Sequence, residues 1–285
     1  MPTLRQLRDR VKSLKNTQQI TRAMKMVAGA RIRRAELAMK AARPYATAVG
    51  DMLRELANGG AKDHPLLQER EVRTPAVLLM TADKGLCGAF NSNLVRSALN
   101  TAKTAGPQTR LYLVGLKGRV QLRKSPYEIA EYWPLLGTPF AELGRAVARK
   151  VSDDFLAGLV DDVTLVSSRF VSTIVQRPTP VRLLPVSSGE GAVRRSPTQN
   201  SYEFEPDTKS VLAALLPKYV EFTVFQALLE TQASEFAARL LAMSNATDNA
   251  GKLIDDLTLV MNKTRQAAIT KEILEIVGGA EALKG

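Results

Sequence analysis

The chain has 285 residues, one cysteine, one histidine, and 40 lysines and arginines against 28 acidic residues, for a net charge of +12. A single cysteine cannot close an internal disulfide and fits a reducing compartment; no all-Cys/His zinc site can be assembled from one of each. The length suffices for one large core or two modest ones.

The charge is uneven. Residues 1–58 hold 13 basic and 4 acidic side chains, residues 59–217 hold 20 and 15, and residues 218–285 hold 7 and 9. The excess therefore sits on the first segment, which needs an acidic neighbour, a polyanion or solvent. Met1-Pro2-Thr3-Leu4 runs straight into a charged amphipathic stretch with no apolar h-region, so no secretory signal is expected. Aliphatic runs such as Ala76–Met80 are too short to cross a bilayer, and no direct membrane insertion is expected.

Thr3 to Arg43 contains no proline and only Gly29. Leu4, Leu7, Val11 and Leu14 alternate three- and four-residue spacing, a coiled-coil seam. Ile20, Met24 and Val27 continue it, then Ile32, Ala35, Met39 and Ala42 on a shifted register. Pro44 interrupts the pattern, Tyr45 to Ala57 resume it after a kink, and Asn58-Gly59-Gly60 ends it. The basic run Arg31-Ile32-Arg33-Arg34 could contact phosphates, but no aromatic residue is interleaved for base stacking. An acidic protein surface is the better match, and no nucleic acid is expected.

The middle alternates strand and helix. Ala76–Thr81, Arg110–Gly115, Glu128–Tyr132 and Asp162–Ser168 read as strands; Asn91–Ala105, Leu116–Arg123 and Phe140–Leu159 read as helices. That order predicts an α/β domain, Rossmann-like, with a mainly parallel sheet. The segment from Thr81 through Asp83-Lys84-Gly85-Leu86-Cys87-Gly88 to Asn91 sits where a phosphate loop would lie. It lacks Gly-Lys-Ser/Thr and the third glycine of a dinucleotide fingerprint, so a structural turn is favoured, with Asn91 or Ser92 capping the next helix. Cys87 reads as a buried spectator thiol, because the lone His64 lies in an apparent connector. Asp153-Asp154 and Asp161-Asp162 read as solvated surface or helix ends, and Ser187–Ser201 as a loop or hairpin.

Lys218 to Val277 contains no proline and only Gly251. Phe222, Phe225, Leu229, Gln232 and Phe236, then Leu240, Met243, Thr247, Ala250, Ile254, Leu257, Met261, Thr264 and Ala268, form a second seam with one extra four-residue step. As helices the two ends would be rods of roughly 60 and 90 Å, far longer than a compact domain needs. Ile269, Ile273, Leu274, Ile276 and Val277 make the end apolar on more than one side, which implies enclosure by protein. Asn262-Lys263-Thr264-Arg265-Gln266 is either an exposed face or a set of directional donors aimed at a partner. The expected division is residues 1–58, 74–210 and 211–285.

Four segments, in order, carry a family likeness: Asn16-Thr17-Gln18-Gln19-Ile20-Thr21-Arg22-Ala23-Met24-Lys25-Met26-Val27-Ala28, Asp83 to Gly88, Tyr202-Glu203-Phe204-Glu205-Pro206-Asp207, and Ala242 to Ala250 with Asn262 to Ile273. On these the chain resembles the gamma-subunit family of bacterial F-type ATP synthases over essentially its whole length. The resemblance implies an antiparallel coiled coil of the two termini with an α/β domain at its base, acting as the rotor shaft inside three alpha and three beta subunits, on the cytoplasmic face of the inner membrane. It implies no catalytic site and no cofactor in the chain itself. It implies contact with the alpha/beta ring through Met24, Arg31, Arg33, Arg34, Arg265, Gln266, Thr270 and Ile273, the Met24 segment lying opposite the Arg265 segment. It implies contact with the epsilon subunit and the membrane c-ring through Lys84, Gly85, Tyr202 and Glu205. Two other readings stand beside it: a nucleotide-dependent α/β enzyme with helical arms, and a basic nucleic-acid scaffold.

Photosynthetic relatives carry an extra central segment, in some cases with a regulatory cysteine pair, whereas this chain has Cys87 alone. Activity of the assembled complex is therefore expected to be the same under oxidised and reduced dithiol; a change traceable to this subunit would contradict that.

Overall fold

The computed structural model describes residues 3–58, 64–186, 205 and 207–282. In chain order these form α1 (Leu4–Asn58), a 3-10 turn (Pro65–Leu67), β1 (Pro75–Met80), α2 (Phe90–Ala105), β2 (Arg110–Val114), α3 (Leu116–Leu122), β3 (Glu128–Trp133), α4 (Phe140–Leu156), β4 (Asp162–Phe170), β5 (Gln176–Leu184) and α5 (Thr208–Ala282). The chain divides into two units, Ala28–Arg239 and Met1–Val27 with Leu240–Gly285.

The larger unit is built on a five-stranded sheet ordered β3-β2-β1-β4-β5. β1 pairs parallel with β2 and β4, β2 parallel with β3, and β5 runs antiparallel to β4. Every residue of central β1 is buried, as expected for a parallel strand covered on both faces. The two-residue alternation of a strand splits its side chains between two cores. Ala76, Leu78 and Met80 join Tyr112 and Val114 under α4, the second half of α1 (Val49, Leu53, Leu56) and the first part of α5 (Leu212, Leu216, Val220, Val224). Val77 and Leu79 join Leu111, Leu113 and Val166 against Phe90, Leu94, Val95 and Ala98 of α2.

The sequence pattern missed β5. Gln176-Arg177-Pro178-Thr179-Pro180 looks unlike a strand, but at a sheet edge the donors that prolines lack are not needed. α5 also begins earlier than the proline-free run suggests. Asp207 accepts hydrogen bonds from the Ser210 amide (2.9 Å) and hydroxyl (2.6 Å), an N-terminal cap, and the helix then runs through Pro217. α1 likewise continues through Pro44 without ending.

Between Val220 and Ala237 α5 is buried on far more than one stripe: Val224, Ala227, Leu228, Thr231, Ala233, Ser234 and Ala237 are all covered, while Phe222, Phe225, Gln232 and Phe236 are only half-buried. Of the seam expected here Leu229 is buried, but the main buried set runs through other positions, many of them small. β1 pairs with β4 only as far as Val166. Beyond it the Ser168 amide donates to the Thr231 hydroxyl (3.3 Å) and the Ser234 hydroxyl donates to the Ser168 carbonyl (3.3 Å), so α5 satisfies backbone groups that β1 no longer reaches.

The smaller unit pairs the start of α1 with the later part of α5. Leu7, Val11, Thr21, Met243, Ala250 and Ile254 are buried, and Leu4, Leu14, Gln18, Thr247, Leu257, Met261 and Thr264 half-buried. Gln18 reaches Gly251 and the Thr247 carbonyl, and Thr21 reaches the Thr247 hydroxyl, so the helices are antiparallel. The expected path through Ile20 and Val27 is wrong: they are 61% and 52% exposed. The seam instead keeps strict spacing through polar Gln18 and Thr21, which an apolar count skips.

Gly144 of α4 faces α5 so closely that a Cβ there would lie 3.2 Å from Phe225 Cβ and 3.3 Å from its Cα. Gly144→Val should destabilise the chain by about 1–3 kcal/mol through overpacking, read as a lower midpoint in denaturant unfolding; an unchanged midpoint would contradict this packing.

Candidate partner-contact surfaces

At the sheet's C-terminal edge the turn after β1 is held from several sides. The Asp83 carboxylate accepts the amides of Leu116 (2.7 Å), Leu135 (3.0 Å) and Leu136 (2.9 Å), tying the ends of β1, β2 and β3 together. Leu116 is the first residue of α3, so the Asp83 carboxylate satisfies one of that helix's unpaired N-terminal donors. Gly115, at φ +94°, has Thr81 O only 2.1 Å from where a Cβ would stand. The turn is thus closed by backbone contact and by a carboxylate.

Asn91 does not cap α2; Ala89 precedes the helix without a side-chain cap. Buried Asn91 turns back instead, accepting the Ala82 amide (3.0 Å) and donating to Cys87 Sγ (3.2 Å). Cys87 is buried as expected, and burial, with Glu235 nearby, pushes its thiol pKa up. Leu86, at φ +61° and 63% exposed, projects from the turn. Lys84 is exposed, and the Gly85 carbonyl accepts from Arg239 Nη2 (3.2 Å).

Arg239 and Glu235 form a buried pair at 2.5 Å on successive turns of α5. Burial raises the Glu235 carboxyl, and the Arg239 guanidinium offsets part of that. Arg31 and Arg239 both lie over the Phe236 ring, 5.8 and 5.9 Å from its centroid. Arg31 therefore belongs partly to the packing of α1 on α5, while Arg33 and Arg34 are exposed. Glu235 and Arg239 escaped notice in the sequence, though their i,i+4 spacing within an apolar run is a readable sign of a buried pair.

Asp154 is also not solvated surface. It accepts from the Tyr112 hydroxyl (2.6 Å) and Lys150 Nζ (3.0 Å), and burial beside this carboxylate raises the Tyr112 pKa. Asp161 accepts the Arg73 and Thr74 amides, and Asp162 pairs with Arg182. Among the described residues no cluster of His, Cys, Asp and Glu could hold a metal.

In the smaller unit, residues 265–279 of α5 are exposed throughout. Ile269, Ile273, Leu274, Ile276 and Val277 are 49–72% exposed. Gln266, Thr270 and Ile273 share a face at i, i+4, i+7, with the Thr270 hydroxyl donating to the Gln266 carbonyl (2.9 Å). Arg265 is exposed beside them. Met24 is half-buried on α1, but it does not lie opposite Arg265. Gln18 meets Gly251, and Arg265 lies a further ~20 Å along α5, away from the Met24 level. Glu205 is exposed, while Tyr202 and Ser187–Ser201 lie outside the described residues.

A family model described as ATP synthase matches residues 3–283. The ATP synthase gamma chain of Desulforamulus reducens is 48% identical over 286 residues, covering 100% of both chains. The chain belongs to the ATP synthase gamma-chain family. The gamma chain of Pelotomaculum thermopropionicum is 46% identical over 288 residues, again covering 100% of both. Among solved structures, a chain of the Tetrahymena thermophila mitochondrial ATP synthase central stalk and c-ring superposes with TM-score 0.63 at 26% identity, covering 80% of this chain and 99% of that one.

Family membership and the fold agree with the expected α/β class and long terminal helices. One sequence expectation needs correction: among the described residues α5 does contain an 18-residue stretch long and apolar enough to cross a membrane, a third of it buried in the protein.

Asp83→Ala would leave three amides without their acceptor, each partly rehydrated, and should cost about 1–3 kcal/mol. Equilibrium unfolding of the variant tests this; wild-type stability would contradict the tethering role.

Proposed function

We propose that this chain is the central rotor shaft of an F-type ATP synthase, non-catalytic by itself. The observation that carries the reading is the last part of α5: fifteen consecutive exposed positions, 265–279, bearing five large aliphatic side chains. Such a surface calls for an enclosing protein partner. A sleeve formed by three alpha and three beta subunits supplies one.

In this reading Arg265, Gln266, Thr270 and Ile273, with Met24, Arg31, Arg33 and Arg34, touch the alpha/beta ring. Lys84, Gly85, Tyr202 and Glu205 meet the epsilon subunit and the membrane c-ring at the cytoplasmic face of the inner membrane. Residues 1–58 and 211–285 form the helical arms and 74–210 the α/β domain. Rotation presents different faces of the shaft to three otherwise equivalent catalytic sites. Each site is shifted only by the difference in contact free energy between its conformations, and by reciprocity nucleotide binding turns the shaft. Proton flow drives synthesis; hydrolysis drives the reverse turn.

The nucleotide-enzyme reading loses support because the turn after β1 lacks the glycine and lysine pattern of a phosphate loop, and its Asp83 carboxylate puts a negative charge beside it, engaged with the amides of Leu116, Leu135 and Leu136. Gentle extraction of the tagged chain from its native membranes should recover two ATPase subunits, three copies of each per chain. Recovery of the chain alone, or with nucleic acid, would overturn the proposal. Arg265→Ala with Gln266→Ala should lower ATP synthesis several-fold while changing stability by no more than about 0.5 kcal/mol, as exposed positions do. Unchanged synthesis in the assembled double variant would remove these residues from the contact.

A further inference from the structure

Within the smaller unit the two helices meet through a polar cluster at one level. Gln18 Nε2 donates to the Thr247 backbone carbonyl at 3.4 Å. The Thr247 hydroxyl lies 2.8 Å from the Thr21 hydroxyl and 2.7 Å from the Met243 carbonyl, and donates its one proton to one of them at a time. Thr21 in turn donates to the Gln18 carbonyl (3.0 Å) and is buried. Gly251 makes room: a Cβ there would lie 3.0 Å from Gln18 Nε2. The neighbouring seam is apolar, with Leu7, Val11, Met243, Ala250 and Ile254.

An apolar seam of this kind is poorly specified along its axis. Moving one helix by a turn exchanges one aliphatic or alanine contact for another at small cost. Hydrogen bonds are directional and fail within an ångström. A buried polar position in a coiled coil fixes register at some expense of stability. A shaft that carries torque through two antiparallel helices needs such a constraint, because twisting pushes the helices past each other in opposite senses.

We propose that Gln18, Thr21, Thr247 and Gly251 form a register pin, a set of positioning residues that holds α1 and α5 at one axial offset under load. The mechanical part of this inference rests on the rotor reading above; the register part does not.

The test reads register directly. Spin labels are placed on the full-length chain at two exposed positions of the smaller unit, Lys12→Cys on α1 and Lys252→Cys on α5. Buried Cys87 stays in place and is shielded from labelling. Pulsed electron–electron spectroscopy should give one narrow distance for the otherwise wild-type chain. Thr21→Val with Thr247→Val keeps the side-chain shape and removes both hydroxyls; it should broaden the distribution or add a population displaced by about one helical turn, ~5 Å. Adding Gln18→Leu should widen it further, with helix content retained by circular dichroism. Thr247→Ser alone should behave as wild type. A distribution as narrow as wild type in the triple variant overturns the pin. In the assembled complex, the triple variant should keep ATP hydrolysis and lose several-fold in ATP-driven proton pumping. Wild-type pumping with a broadened distance would overturn the load-bearing part. Failure of every form of the chain, wild type included, to assemble with ATPase subunits would instead count against the rotor reading and leave the register result standing.

Discussion

The structure depends on the burial of α5, and on where that burial stops. From Leu212 to Val220 the helix buries one stripe in the α/β core, and from Val220 to Ala237 it is covered on several of its faces, where small residues such as Ala227, Ala233, Ser234 and Ala237 let other elements approach. From Leu240 to Thr264 only one stripe is covered. From Arg265 to Gly279 every position is exposed among the described residues. Isolated helices of any length draw little stability from propensity alone. The first stretch is stabilised by the sheet and the second by α1. The third presents five exposed aliphatic side chains, a surface suited to burial against a further protein element.

The α/β unit holds together the ends of three parallel strands through one side chain. In such folds the ends of the strands collect backbone donors that attract anions. Here Asp83 takes donors from the start of α3 and from the loop after β3, and the Gly85 carbonyl is engaged by Arg239. The turn is a structural junction that links the sheet to α5. Membership of the ATP synthase gamma-chain family rests on relatives matched over their full length.

Much of this was legible in the residues. The strand-helix alternation from Pro75 to Phe170 gave the parallel sheet, since buried parallel strands are short continuous apolar runs. The misreadings share a cause: tertiary context overrides local pattern. β5 carries two prolines that only an edge can tolerate. Ile20 and Val27 looked like seam positions because they are apolar, yet the true seam runs through Gln18 and Thr21, whose partner Thr247 is 226 residues from Thr21. Asp154 does lie at a helix end, one of the two expectations, but it is not solvated, and nothing nearby in sequence reveals Tyr112. Asn91 turns away from its own helix to hold the preceding turn. For the proposed contact positions Arg265, Gln266, Thr270 and Ile273, the sequence suggested the cluster and the structure adds their shared exposure.

The most direct measurement of the rotor account is single-molecule observation of this chain within its own assembled complex. The alpha/beta ring is fixed to a surface and a probe is attached to an exposed residue of the α/β unit, such as Lys103. On addition of ATP the probe should turn in one direction, in steps set by the three catalytic sites, and stop when ATP is removed. A complex that hydrolyses ATP at its normal rate while the probe stays still would contradict the account.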